Sequence, residues 1–80
     1  MTLTILFFGI TTDLVGKSSL TYNLKEKTTV KDLRNILKFE FLELKNLHEF
    51  AIAVNEEYAN NNLILKNGDV VAIIPPVSGG

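Results

Sequence analysis

The sequence predicts a single α+β domain in which a mixed sheet curls around one main helix, and three patterns carry that reading. Apolar residues alternate from Thr2 to Phe8. A helix-starting pair, Thr29 and Asp32, precedes the one long stretch of helical apolar spacing. The run Val70-Val71-Ala72-Ile73-Ile74 is stopped by Pro75-Pro76. Eighty residues leave room for one compact core and no second domain.

In the first segment Leu3, Ile5 and Phe7 share one face, while Leu6 and Phe8 share the other. Apolar side chains on both faces predict a central strand. Gly9 to Lys17 holds two glycines and Asp13 and reads as a turn. Beyond it Leu20, Tyr22 and Leu24 alternate with Ser19, Thr21 and Asn23, a half-exposed strand that closes a hairpin. Thr29 and Asp32 have the spacing of a capping box, with Asp in place of the usual Glu, and Val30, Leu33, Ile36, Leu37 and Phe41 follow on one helical stripe. Phe39 and Leu42 lie off that stripe, so the helix is expected to end near them.

Phe50 to Val54 reads as a short strand, and Asn55-Glu56-Glu57 as a turn into Tyr58. Asn60-Asn61-Asn62 is too rich in turn formers to stay in a strand. Lys66-Asn67-Gly68-Asp69 makes a further turn before Val70 to Ile74, whose unbroken apolar character predicts a strand covered on both faces. Pro75 and Pro76 end it, because neither can donate to a ladder. Parity then sorts the faces: Val71 and Ile73 join Leu3, Ile5 and Phe7 under the helix, leaving Phe8 and Ile74 on the opposite side, with Tyr58 extending their surface. An exposed apolar patch of this kind marks a protein interface.

Composition excludes several classes of function. Eight basic and nine acidic side chains give a net charge of −1, and the basic residues are scattered, which is a poor footprint for nucleic acid. With no cysteine there is no disulfide, no thiolate nucleophile and no cysteine metal site. The single histidine, His48, is expected in the loop after the helix, and no metal site is expected. No glycine-rich phosphate loop is present, so no cofactor is expected on this chain. The N-terminal run is interrupted by Thr2 and Thr4 and lacks a basic leader, so it reads as a strand, and no segment is long enough to span a membrane. The expected compartment is the cytoplasm.

The remaining chemistry lies in Pro75-Pro76-Val77-Ser78-Gly79-Gly80, expected to form a flexible tail over residues 75–80 of the one domain, 1–80. A frayed terminus is the ordinary fate of such residues. Two glycines by chance, at about 7% usage each, would occur well under about one time in a hundred. The prolines stiffen the exit from the strand. Six extended residues reach about 20 Å, enough to enter a partner's pocket while the body stays outside. Glycines without a Cβ let such a tail pass a narrow channel and leave its terminal acyl carbon open to attack.

These features together resemble the MoaD family, the small subunit of molybdopterin synthase. The resemblance rests on the strand-helix-strand order, the Gly68-Asp69-Val70-Val71 turn into the last strand and the Pro-Pro-Val-Ser-Gly-Gly ending. Phe7-Phe8, Leu14-Val15-Gly16, Thr29-Val30 and Val54-Asn55-Glu56 also fit it. It implies a ubiquitin-like β-grasp fold and a sulfur carrier. A separate adenylating enzyme would use ATP to activate the Gly80 carboxylate, and a sulfur donor protein would convert it to a thiocarboxylate. The large subunit, in a heterotetrameric synthase, would then pass that sulfur to a pyranopterin precursor of the molybdenum cofactor. The resemblance also places partner contacts at Phe8, Tyr58 and Ile74, and leaves catalytic residues to the large subunit. Where many members carry an arginine shortly after the paired phenylalanines, this chain has Thr11-Thr12, which lacks the side chain for an ion pair there. A sulfur carrier for thiazole biosynthesis shares the fold and the Gly-Gly end but usually lacks Pro-Pro-Val, and a ubiquitin-like protein modifier is the alternative from a different class.

Overall fold

Alternation along the first strand does set the architecture. The computed structural model describes residues 1–47 and 50–76; the expectations for His48, Val77, Ser78, Gly79 and Gly80 lie outside the described residues. The chain runs β1 (Thr2–Phe7), α1 (Ile10–Val15), β2 (Ser19–Asn23), α2 (Val30–Glu40), a 3-10 turn (Leu42–Asn46), β3 (Ala51–Val54), β4 (Glu57–Tyr58) and β5 (Val70–Ile74). The sheet order is β2-β1-β5-β3-β4. Only the β1–β5 pairing is parallel; the other neighbours are antiparallel, and α2 lies across one face. This is the β-grasp arrangement.

The core forms where the period-two face of the sheet meets the apolar stripe of α2. Leu3, Ile5, Phe7, Ile52, Val71 and Ile73 are buried from the sheet, Val30, Leu33 and Leu37 from α2, and Leu44 and Leu65 from the connections. Phe41 closes one end, its ring edge-on to Phe7 with centroids 6.0 Å apart. Helix α2 starts where the capping box predicts: the Asp32 N–H donates to Thr29 Oγ1 at 3.2 Å, and the Thr29 N–H donates to Asp32 Oδ2 at 3.1 Å. It ends at Glu40, because Phe41 turns extended to reach the core. Phe39, 80% exposed, and the exposed Leu42 stay off the packed stripe.

Three details differ from the sequence expectation. The Gly9–Lys17 turn contains the six-residue helix α1, bounded by Gly9 at φ 56° and by Gly16 at φ 84°, whose N–H donates to the Thr12 carbonyl at 2.8 Å. Gly16, in the left-handed region, closes the helix at once, and the segment is too short to show helical periodicity. The turn after β3 is confined to Asn55 and Glu56, so Glu57 already belongs to β4. Strand β5 is not covered on both faces: Val71 and Ile73 are buried, but Val70 is exposed and Ala72 and Ile74 are half-buried. Its apolar run reflects a core on one side and an open hollow on the other.

Leu33→Ala is expected to destabilise the domain by about 2–5 kcal/mol through the cavity it leaves beneath the sheet. Thr29→Ala should cost about 1 kcal/mol by removing one half of the cap. Urea unfolding of both variants checks the ranking; a Thr29→Ala loss as large as that of Leu33→Ala would contradict it.

Candidate functional site

The face of the sheet turned away from α2 is built from two cross-strand rows. In one, Tyr58 pairs with Ala53, Ala53 with Ala72, and Ala72 with Leu6. In the next, Ala51 pairs with Ile74, and Phe8 continues β1 alongside. Side chains in a row project to the same face, so the register alone gathers these residues. Two alanines in the middle keep the floor low while Phe8, Ile74 and Tyr58 stand around it. The result is an open hollow of about 450 Å³ lined by Phe8, Ala53, Glu56, Tyr58, Ala72 and Ile74. Phe8 is 48% exposed and Tyr58 76%, so much of the apolar surface meets solvent.

The rim is held by hydrogen bonds that reach across the sheet. Asn55 and Glu56 both take positive φ, 51° and 73°, the backbone that a two-residue hairpin loop needs. The Asn55 amide donates through Nδ2 to Asp69 Oδ1 at 2.9 Å, and its Oδ1 accepts the Val70 N–H at 3.0 Å. The other Asp69 oxygen accepts the Lys66 N–H at 2.7 Å. One carboxylate thus ties the Asn55–Glu56 turn to the turn that launches β5, and Glu56 is carried to the edge of the hollow.

At the opposite end of β5 the chain leaves the sheet through Pro75, half-buried, and Pro76, exposed. A Cβ added to Gly9 would stand 3.0 Å from Pro75 Cγ, so the β1–α1 corner and the proline are in direct apposition. Phe8, on that corner, and Ile74, just before the prolines, belong to the hollow as well. The three residues singled out in the sequence, Phe8 and Ile74 from parity and Tyr58 from its place after the Asn55 turn, therefore converge on one depression beside the tail's point of departure. Val77, Ser78, Gly79 and Gly80 lie outside the described residues. Sequence reasoning missed Ala53 and Glu56, although Ala53 facing Ala72 across neighbouring strands would have signalled a low floor. Among the described residues no group of three His, Cys, Asp or Glu side chains is placed to hold a metal ion. No helix among them is long and apolar enough to cross a membrane.

Against known proteins, the model of the ThiS family matches residues 5–80. The chain belongs to the ThiS family. A curated relative, the molybdopterin synthase sulfur carrier subunit of Caenorhabditis briggsae, is 35% identical over 79 residues, covering 95% of this chain and 94% of the relative. Among solved structures, a complex of subunits 1 and 2 of molybdopterin-converting factor from Helicobacter pylori contains a chain 35% identical to this one. The match covers 100% of both chains with a TM-score of 0.71. SAMP1 from Haloferax volcanii superposes with a TM-score of 0.86 over 100% of both chains at 21% identity, a likeness of fold alone. The family match includes the six residues from Pro75 to Gly80 that sequence reasoning picked out.

The face assignment predicts opposite behaviour for two adjacent phenylalanines. Phe7→Ala should cost about 3–5 kcal/mol, since the ring is buried against Phe41, whereas Phe8→Ala should cost less than about 1 kcal/mol. Denaturant midpoints of the two variants test this. A Phe8→Ala chain that unfolds as readily as Phe7→Ala would place Phe8 in the core.

Proposed function

We propose that this chain is the sulfur-carrier subunit of a molybdopterin synthase, and that Gly80 carries the sulfur as a C-terminal thiocarboxylate. The observation that carries the reading is the adjacency of two things. An apolar hollow lined by Phe8, Tyr58 and Ile74 sits beside the strand end from which Pro75-Pro76 lead toward Gly79-Gly80. A protein docked in the hollow is well placed to receive the tail. The names of the relatives at 35% identity support the same assignment.

The chemistry is dictated by the electrophile. A free carboxylate is resonance-stabilised and resists attack. On a partner adenylating enzyme, a Gly80 carboxylate oxygen attacks the α-phosphorus of ATP and pyrophosphate leaves, giving an acyl-adenylate. Hydrosulfide, the form in which a donor protein delivers sulfur, then adds to the acyl carbon, AMP departs with the C–O electron pair, and loss of the S–H proton leaves the thiocarboxylate. The carrier contributes reach and presentation: prolines with fixed φ at the base, then glycines without side chains at the acyl end. Catalytic groups for transfer to the pyranopterin precursor belong to the large subunit, which docks on the hollow in a heterotetramer in the cytoplasm. ATP binds to the activating partner, and this chemistry asks for no cofactor or metal on the carrier itself.

Removing Gly80, or adding one residue after it, should abolish cofactor synthesis in a complementation assay while leaving the melting temperature unchanged. Normal synthesis from the truncated chain would overturn the carrier reading. Burying a ring such as Phe8 contributes about 1.5–3 kcal/mol. Phe8→Ala should therefore weaken large-subunit binding by about ten- to a hundredfold. Unaltered affinity by calorimetry would move the docking surface away from the hollow.

A further inference from the structure

We propose that Gly9 and Thr11 form a bracket that sets the direction in which the tail leaves the fold, and so act as positioning residues for the reaction at Gly80. The inference rests on the carrier reading and names residues that it does not use. Thr11 has no exposed surface, and its hydroxyl is fully employed. Oγ1 accepts the Phe8 N–H at 3.0 Å, donates to the Phe8 carbonyl at 2.5 Å, and stands 3.4 Å from the Ile73 carbonyl. The Phe8 N–H also lies 3.2 Å from that Ile73 oxygen. The Thr11 side chain thus pins both backbone groups of Phe8, and the Phe8 N–H in turn joins the end of β1 to Ile73, two positions before Pro75. A polar group this deeply buried is held by its hydrogen bonds, and losing the hydroxyl would leave the Phe8 N–H with only the Ile73 carbonyl and the Phe8 carbonyl with only the Thr11 N–H.

Gly9 supplies the second arm. Its backbone, φ 56° and ψ −138°, is one that side chains rarely adopt. A Cβ there would press on Pro75 at 3.0 Å from Cγ and 3.7 Å from Cδ. The residue therefore makes the corner tight and leaves the space the proline ring occupies. Because proline cannot rotate about its N–Cα bond, a push on the Pro75 ring is not absorbed there but redirects the residues beyond it. Misplacing a reacting atom by about 1 Å can cost on the order of a hundredfold in rate. Docking through the hollow does not correct such an error, since the hollow holds the body and not the tail. Thr11 is thus absorbed into the fold and not offered to a partner.

The test is carrier-dependent exchange of pyrophosphate into ATP by an adenylating enzyme, with kcat and KM for the carrier measured separately for wild type, Gly9→Ala, Thr11→Val and Thr11→Ser. All are assayed below their melting temperatures. Thr11→Val keeps the shape and loses the hydroxyl; Thr11→Ser keeps the hydroxyl; Gly9→Ala, at an exposed site, does not depend on a buried group. The bracket predicts kcat lowered by at least about tenfold in Gly9→Ala and Thr11→Val with KM within about twofold, and near wild-type kcat in Thr11→Ser. Unchanged kcat in Gly9→Ala, or Thr11→Ser as slow as Thr11→Val, would overturn it. A wild-type chain that supports no exchange would overturn the carrier reading and the function of the bracket together, whereas an active wild type with unaffected variants would overturn the bracket alone.

Discussion

Everything in this molecule that bears on function depends on the parallel pairing of β1 with β5. The register sets Thr4 against Val70 and Phe7 against Ile73, so both strands end at the same side of the sheet. Reversing β5 would send the chain end out beside Thr2 and separate it from Phe8. A parallel pair cannot be closed by a tight hairpin and needs long connections, which here include α2 and its buried stripe. The core and the placement of the tail therefore have one cause: Val71 and Ile73 pack under α2 in the register that brings Pro75 to the β1–α1 corner. Stability and presentation of the chain end are secured by the same strand.

The second face of that strand shows what a carrier of this design gives up. Ala72 and Ile74 could have been covered, as the apolar run suggested, but Ala53 and Ala72 leave the hollow open instead. Exposed apolar area of this kind contributes nothing to folding of the isolated chain and becomes favourable when a partner removes it from water. The Asp69 carboxylate joins two turns at the other end of the sheet, so the end of β5 near Pro75 is held mainly by backbone pairing, the Phe8 N–H to the Ile73 carbonyl included.

Much of this was legible in the sequence because the strong signals are local. Thr29 and Asp32 announced the start of α2 through hydrogen bonds made within one turn. The parity of Leu3, Ile5 and Phe7 against Phe8 separated the faces of β1. Helix α1 was hidden, since its six residues are flanked by glycines that signal a turn and carry Thr11, whose partners Phe8 and Ile73 come together only in three dimensions. The cover over β5 was misread because a continuous apolar run cannot distinguish a buried face from an open one; the small Ala72, set beside Ala53, decides that. Phe8, Tyr58 and Ile74 are 66 residues apart at the extremes, and strand parity sufficed to place Phe8 and Ile74 together. Ala53 and Glu56 needed the register of β3 and the positive φ of the Asn55–Glu56 turn.

Sulfur loading concerns one atom, an oxygen of the Gly80 carboxylate. It is tested most directly by intact and fragment mass spectrometry of the full chain after incubation with an adenylating enzyme, ATP and a sulfur donor. An ATP-dependent replacement of one oxygen by sulfur is expected, confined to the fragment that ends in Gly80, and reversed when a large subunit and pterin precursor are added. An unchanged mass under conditions in which the same enzyme loads another carrier, or sulfur found anywhere but on the Gly80 acyl group, would contradict it.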